Sequence, residues 1–146
     1  MQVHRSIIVP RRLGVALLST VALTAALAAA QDIKVTRRTA PAQQVLVRSF
    51  APYDGSCLPV GPARIEVIEP PAHGELNQRN EVVTIGPNWV GNTQCQGTKL
   101  DGVSLYYTPR EGFEGTDRFA IRVDYPQRLG RVNAVVEVVV SAQGAR

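Results

Sequence analysis

The chain has 146 residues, 45% of them hydrophobic, with two cysteines and a formal net charge of +4. Three basic residues, Arg5, Arg11 and Arg12, precede residue 31, whereas every acidic residue follows it, so residues 31–146 carry thirteen basic and twelve acidic side chains. This near-balanced charge gives no reason to expect a nucleic-acid partner. The 116 residues after residue 30 are enough for one domain core and too few for two.

The N-terminal segment has the pattern of a secretory signal. Basic residues precede an uncharged run, residues 13–30, which ends in small residues including Ala28 and Ala30. We therefore expect residues 1–30 to be removed as a signal peptide, leaving residues 31–146 as one domain in the periplasm or outside the cell. A retained transmembrane anchor is the alternative, because the run approaches the roughly 20 apolar residues that span a bilayer. The general secretory route is favoured over the twin-arginine route.

Short runs of alternating apolar and polar residues, separated by Gly, Pro, Asn and Asp, predict strands and no helix. The predicted strands in chain order are 33–36, 43–50, 63–68, 103–108, 117–125 and 131–141, with 74–77 and 81–85 as weaker candidates. Residues 86–102 are rich in Gly, Asn, Thr and Gln, which predicts a loop. Six or seven short strands in a chain of this length predict an all-β, two-sheet β-sandwich, with a barrel as the alternative.

The alternation also assigns side chains to the two faces of each strand. Ile65 and Val67 are predicted to point inward. The same is predicted for the apolar positions of the last two strands: Phe119, Ile121, Val123, Val132, Ala134, Val136, Val138 and Val140.

The two cysteines, Cys57 and Cys95, both follow the expected cleavage site and both lie in predicted loops. An even cysteine count in an exported chain predicts a disulfide, and with two cysteines only one pairing exists. Closing a loop of this length would stabilise the fold by about 4 kcal/mol in the chain-entropy model. Two free thiols are the alternative.

Two motifs and a Val-rich last strand carry a family resemblance. Pro71-Ala72-His73-Gly74-Glu75-Leu76 has the form P-x-x-G-x-[LV], and residues 107–119 have the form Y-T-P-x-x-G-F-x-G-T-D-x-F. Over residues 63–140 the chain resembles the bacterial immunoglobulin-like and cadherin-like repeats of exported proteins. The resemblance implies an immunoglobulin-like antiparallel β-sandwich. Its corner residues here are Tyr107, Pro109, Gly112, Phe113, Gly115, Asp117 and Phe119.

The spacing of this corner also has a physical reason. Gly112 and Gly115 supply the backbone freedom that a chain crossing between sheets needs. Phe113, between them, is expected to plug the open end of the sandwich. Asp117 is expected to accept hydrogen bonds from backbone N–H groups two residues further on.

The sequence departs from the family pattern in two ways. Residues 77–101 are inserted where these repeats have a short link, and the cysteines are ones that such repeats usually lack. Cadherin-like relatives bind calcium through clusters of Asp, Asn and Glu, and the acidic residues here are scattered singly. We therefore expect no metal and no cofactor.

His73 is the one histidine after the expected cleavage site. In the turn-like segment PAHGE, a solvated loop histidine is favoured over a general base or a metal ligand, since no supporting partners are evident. We therefore expect no enzyme. A small hydrolase or metal-handling protein that uses His73 is the less favoured alternative.

Trp89, the single tryptophan, lies in the inserted loop. Exposed, it would be a binding anchor; folded back, it would be a lid over the end of the sandwich.

A second candidate binding feature is a basic stripe. Arg118 and Arg122 share the outward face of one predicted strand, and Arg128 and Arg131 flank the next turn. These arginines could bind anionic polymers of the envelope. The favoured alternative is a solvated face whose charge is balanced by acidic neighbours, Asp124 and Glu137.

Taken together, the sequence predicts an exported, non-catalytic binding or structural module of the bacterial envelope. Its expected partner is another envelope protein or a polysaccharide, with no membrane span after cleavage, and its oligomeric state stays open. The alternative within binding is an inhibitor of an exported hydrolase that acts through the Cys95 and Trp89 loop.

Overall fold

The computed structural model describes residues 33–87, 93–127 and 130–143. The expected signal peptide, Trp89 and Arg128 lie outside these ranges. The strands are β1 Ile33–Thr39, β2 Val45–Phe50, β3 Arg64–Glu69, β4 Gly74–Thr84, β5 Lys99–Pro109, β6 Gly115–Asp124 and β7 Arg131–Val140, with a short 3-10 helix at Thr93–Cys95. Across these ranges no helix has the length and apolar character needed to cross a membrane.

Two sheets form the β-sandwich that the sequence predicts. One has four strands in the order β1-β7-β6-β3, and the other has three in the order β2-β5-β4. Strands β3, β6 and β7 are arranged like strands C, F and G of an immunoglobulin-like sandwich, and β2, β5 and β4 are arranged like its strands B, E and D. All the strand pairs are antiparallel except one, since β1 runs parallel to β7. This pairing joins the two ends of the described chain, with Ile33 opposite Ala134 and Thr39 opposite Val140.

The main core lies between the sheets. Alternate residues of the strands supply it, as predicted: Phe119, Ile121 and Val123 are at most 2% exposed. Val67, predicted to point inward, is instead 37% exposed. The reason is its position on β3, an edge strand whose register shifts between Val67 and Glu69. The core residues are Val35, Val47, Phe50, Ala63, Ile65, Val103, Leu105, Tyr107, Phe119, Ile121, Val123, Ala134, Val136, Val138 and Val140.

The hairpin of β4 and β5 is longer than predicted. Segments 74–77 and 81–85 form the single strand β4, and the predicted loop 86–102 is wrong from Lys99 onward, where β5 begins. Polar residues between the two segments concealed this continuity, since β4 is an edge strand with exposed side chains. Gly102 suggests a loop in the sequence but lies inside β5. Glycine is needed there because a Cβ would come within 2.7 Å of the Phe50 carbonyl oxygen.

The extended hairpin continues into a second, smaller hydrophobic cluster. Ala51, Ile85, Cys95 and Leu100 are buried there, with Tyr53, Cys57 and Val83 packed against them. Val83 and Leu100 are opposite each other in the β4–β5 ladder and so reach the cluster from one face.

Candidate functional site

The predicted disulfide is present. Cys57 and Cys95 are bonded across a sequence separation of 38 residues, and no cysteine in the described chain is free. Neither residue lies on a strand, so the bond joins two connecting segments, as expected. Cys95 is fully buried in the second cluster, which places the disulfide at the centre of that cluster's packing.

The segment around Cys57 is organised by its own hydrogen bonds. The Asp54 carboxylate accepts the backbone N–H groups of Ser56 at 2.8 Å and Leu58 at 3.0 Å, through one oxygen, Oδ1. Cys57 has a φ of 63°, a conformation that costs a residue with a Cβ some strain. The carboxylate and the disulfide together hold this loop in one conformation.

Asp117 is a buried carboxylate, 2% exposed, with four hydrogen-bond donors. It accepts the Tyr107 hydroxyl at 2.8 Å, the backbone N–H of Ala72 at 3.1 Å and of His73 at 2.8 Å, and the N–H of Arg118 at 2.9 Å. The expectation of bonds to N–H groups two residues further on is therefore wrong. The distant partners lie in the P-x-x-G turn and at the end of β5, so the two sequence motifs converge on this carboxylate.

The hydrogen bonds decide the charge state of this carboxylate. Burial alone would raise the pKa of Asp117, but the Tyr107 hydroxyl and the backbone N–H groups of His73, Ala72 and Arg118 outweigh it and lower the pKa below its ordinary value. The pKa of Tyr107 is raised, first by burial and then by its bond to the carboxylate. Asp117 is therefore held ionised, with its lone pairs committed to the fold.

Close packing around Tyr107 explains the glycine of the turn. A Cβ on Gly74 would lie 2.4 Å from the Tyr107 ring, so only glycine fits against that ring. Tyr107 in turn stacks on Phe119, with ring centroids 5.7 Å apart, and Pro109 ends the strand opposite Gly74. These corner residues are structural.

The ring of Phe113 lies between the corner and solvent. It packs against the main core while partly exposed, and it stacks on the His73 ring with centroids 4.2 Å apart. Gly112 and Gly115 flank it with φ values of 74° and 135°, which is the backbone freedom expected of them.

His73 is exposed and uses its ring for stacking. Throughout the described segments, no group of three or more His, Cys, Asp or Glu residues could hold a metal ion. The structure thus places the His73 imidazole on an aromatic ring, while the backbone N–H of the same residue donates to Asp117.

The basic stripe is a charge-balanced face. Arg122 is ion-paired with Glu66 at 3.3 Å. Arg118, which is exposed, is opposite Glu137 in the ladder. The remaining pairs on this sheet join Arg131 to Asp124 and Lys34 to Glu137. The contribution of Arg128 lies outside the described residues.

A groove that sequence analysis did not single out crosses the three-stranded sheet. Its volume is about 570 Å³, within the range typical of ligand sites. Arg37 and Arg48 line it together with an exposed aliphatic side chain, Leu46, and a hydroxyl, Ser49. The end of β4, from Glu81 to Thr84, and Gly86 line it as well.

Arg37 is held in place at the edge of this groove. Its Nε donates to the Leu46 carbonyl oxygen at 3.1 Å, and its Nη1 donates to the Thr36 carbonyl oxygen at 2.8 Å. Burial, and then the nearby positive charge of Arg48, lower the pKa of Arg37 from its ordinary value. Two guanidinium groups thus concentrate positive charge at this point.

Glu81 forms the acidic part of the groove. It accepts the Tyr106 hydroxyl at 2.8 Å, and hydrogen bonds from Ser104 and then Tyr106 lower the pKa of its carboxyl. Arg79 lies over the Tyr106 ring, 4.5 Å from its centroid, and donates to Gln44 at 2.6 Å. The outer face of this sheet is therefore an ordered polar surface.

One signal could have found Arg37. Continuing the first predicted strand beyond residue 36 places Arg37 on the same face as Val35 and Thr39, both buried, so a charged residue occupies an inward-facing position. Arg48 was concealed by a register shift between Leu46 and Arg48, which breaks the alternation of β2.

No family model, no curated protein and no solved structure matches this chain. The features of the molecule that bear on its function are the geometry of the sandwich, the disulfide and the groove.

Proposed function

We propose that this protein is an exported, non-catalytic binding module of the bacterial envelope, built on an immunoglobulin-like sandwich and working in the periplasm or outside the cell. The observation that carries the proposal is the Cys57–Cys95 disulfide. Disulfides of this kind form and persist in oxidising compartments, which agrees with the signal-like residues 1–30.

The same disulfide supports a binding role. Val83 packs against the disulfide cluster and also lines the groove, so the cluster holds one wall of the groove in place. A surface that is rigid before binding loses less conformational entropy when a ligand arrives. A rigid sandwich that carries anchored loops is a general architecture for recognition. The partner is an envelope polysaccharide or another envelope protein.

Export is tested by producing the full chain with its own N-terminus in a bacterium and fractionating the cells. We expect the protein in the periplasm or medium, with a mature N-terminus near residue 31 and no thiol available to alkylation until it is reduced. Protein that stays in the cytoplasm with both thiols reactive would contradict the proposal.

Binding is tested by co-sedimentation of the mature protein with insoluble envelope material from the source bacterium. We expect retention, and we expect it to fall in the double variant Cys57→Ser and Cys95→Ser. Asp124→Asn, which removes an exposed ion-pairing carboxylate on the opposite sheet, is the matched control. Equal retention in the double variant and the wild type would contradict the role given to the disulfide.

Two further variants separate the alternatives. The proposal predicts that His73→Ala leaves retention unchanged, whereas a hydrolase or metal-handling protein would lose its function. An inhibitor that acts through the inserted loop would lose inhibition of an exported hydrolase on Trp89→Ala.

A further inference from the structure

We propose that the groove of Arg37, Arg48 and Glu81 binds an acidic glycan, with a carboxylate or phosphate group of a sugar unit between the two arginines. This inference rests on the proposed function, because it names the ligand class of the binding module. It uses a site different from the basic stripe and from the inserted loop.

The Arg37 side chain in the groove is suited to an anion. A guanidinium group has five N–H donors, and the described hydrogen bonds of Arg37 use the Nε–H and one N–H of Nη1. Three donors remain on a group that is already fixed in position. No carboxylate in the described ranges forms an ion pair with Arg37. Planar N–H donors match the oxygens of a carboxylate or phosphate.

Arg48 adds a second positive charge to the lining. Burial, and then the positive charge of Arg48, lower the pKa of Arg37, so the two charges lie close enough to act on each other. An anion between them removes that repulsion and gains charge-assisted hydrogen bonds at the same time. The groove therefore favours a ligand with a localised negative charge.

The acidic and hydroxyl side chains of the lining select against a uniformly anionic polymer. Glu81 is ionised there, and the Ser49 hydroxyl is 2.7 Å from the Ser104 hydroxyl. These oxygens accept hydrogen bonds from hydroxyl groups, whereas they repel a second anion placed beside them. A unit that carries one acidic group and several hydroxyl groups fits both the arginines and these oxygens, as a uronic acid or a sugar phosphate does.

The aliphatic part of the lining also fits a sugar better than a nucleic acid. Leu46 is 41% exposed and Val82 is 62% exposed, and both are aliphatic. They offer an apolar contact to the C–H face of a sugar ring, whereas single-stranded nucleic acids stack their bases on aromatic side chains. An acidic peptide is the remaining competitor, and the experiment separates it.

The test is isothermal titration calorimetry of the mature, disulfide-bonded protein. The probes are oligogalacturonate, neutral dextran oligomers of equal length, poly-L-glutamate and inorganic phosphate. We expect oligogalacturonate to bind and to weaken as salt is raised, since screening acts on the charged contact. We expect the neutral dextran not to bind. Tight binding of dextran would overturn the inference.

Matched variants locate the site. Arg37→Ala should weaken oligogalacturonate binding by about tenfold or more, the effect of losing a charge-assisted hydrogen bond. Arg38→Ala removes the same charge from the next residue of β1, which is exposed on the other face of the strand, and should change binding by less than about twofold. Equal losses in the two variants would overturn the site.

A second variant guards against a folding defect in Arg37→Ala. Leu46→Glu adds a negative charge inside the groove at a side chain that is 41% exposed, so it removes no core packing. It should abolish binding while the thermal melt stays close to that of wild type. Leu58→Glu, at a 61% exposed leucine outside the groove lining, is its control. Unchanged binding in Leu46→Glu would overturn the site.

The remaining outcomes separate this inference from the proposed function. If poly-L-glutamate binds as tightly as oligogalacturonate and Arg37→Ala abolishes both, the glycan assignment is overturned and the binding module stands. If no probe binds while the protein still co-sediments with envelope, the inference fails alone. If oligogalacturonate is cleaved, the non-catalytic function fails and the site stands.

Discussion

Two neighbouring tyrosines of β5 each donate a hydrogen bond to a carboxylate, yet they serve opposite surfaces of the sheet. Tyr107 is fully buried and donates to Asp117 inside the sandwich. Tyr106 points to the outer face and donates to Glu81 beside the groove. Both bonds are 2.8 Å long. Because side chains alternate along a strand, the same chemical pair stabilises the fold on one face and shapes a recognition surface on the other.

The difference lies in what surrounds each carboxylate. Asp117 is 2% exposed and accepts three backbone N–H groups as well as the Tyr107 hydroxyl, out of the reach of bulk water. Glu81 is near solvent, where water can replace any donor that is lost. We therefore expect changes at the corner to affect stability, and changes at the groove to affect binding.

The largest expected effect is at the disulfide, which anchors the groove side of the comparison. Cys57→Ser with Cys95→Ser should lower the free energy of unfolding by about 4 kcal/mol. Amide hydrogen exchange should accelerate more at Ile85, whose N–H donates to Thr98, and at Gly97, whose N–H donates to Ile85, than at His73 in the corner. Denaturant melts measure the loss of stability, and NMR measures the exchange. Equal acceleration at both ends would show that the two regions are one unit.

Asp117→Asn should lower the free energy of unfolding by about 3 kcal/mol, because an amide cannot accept all four donors. Glu81→Gln, the matched change on the outer face, should cost clearly less, because water can replace the donors that are lost there. Urea melts of both variants compare the two carboxylates directly. A smaller loss for Asp117→Asn than for Glu81→Gln would reverse the assignment of structural and surface roles.

Phe113→Ala should cost about 2 kcal/mol, below the range for a fully buried aromatic, because the ring is partly exposed. The same urea melts measure it. His73→Ala, which removes the stacked partner from the exposed side, is the control and should cost less than about 1 kcal/mol. A loss above about 4 kcal/mol for Phe113→Ala would show a more deeply buried plug than the structure has.

Tyr107→Phe should cost about 1.5 kcal/mol, since it removes one hydrogen bond to a charged group and leaves the ring stacked on Phe119. Tyr106→Phe should cost less than about 0.5 kcal/mol because its hydroxyl acts near the surface. A double-mutant cycle of Tyr107→Phe with Asp117→Asn should show coupling. Additive losses would mean that the hydroxyl and the carboxylate act independently.

The smallest expected effect is the change of the free energy of unfolding with pH, and Asp117 sets the direction of that change. The pKa of Asp117 is lower in the folded chain than in the unfolded chain. The stabilisation that the ionised carboxylate gives is therefore fully present above the ordinary carboxyl pKa of about 3.9, and it is lost as pH falls below that value towards the folded pKa. The stability difference between wild type and Asp117→Asn should shrink on acidification in that window. A difference that grows instead would contradict the lowered pKa.

The fold was largely predictable, and the reasons lie in particular residues. Alternation in β6 and β7 correctly assigned Phe119, Ile121 and Val123 to the core. The start of β5 was missed because Gly102 reads as a loop residue when its neighbours in space are unknown, and the continuity of β4 was missed because its middle is polar and exposed. The parallel pairing of β1 with β7 was also missed, since no pattern within either strand encodes which distant strand lies beside it.

The candidate site was far less predictable. The cysteine pair followed from counting, but Trp89 lies outside the described residues. Of the two acids expected to balance the basic stripe, Glu137 is opposite Arg118 and Asp124 pairs with Arg131, whereas Arg122 pairs with Glu66, which was not predicted. Arg37 of β1, Arg48 of β2 and the end of β4 line the groove together, and these three strands belong to two different sheets. Only the packed sandwich places them together.

The sequence alone determined the strand periods, the one possible cysteine pairing and the turns at Gly112 and Gly115, because each of these depends on residues close in the chain or on a simple count. The tertiary structure decided the partners of Asp117, which are 44 and 45 residues away at His73 and Ala72, and the meeting of Arg37 with Arg48. Hydrogen bonds and charges act through space over a few ångströms, so their consequences appear only when the chain is folded.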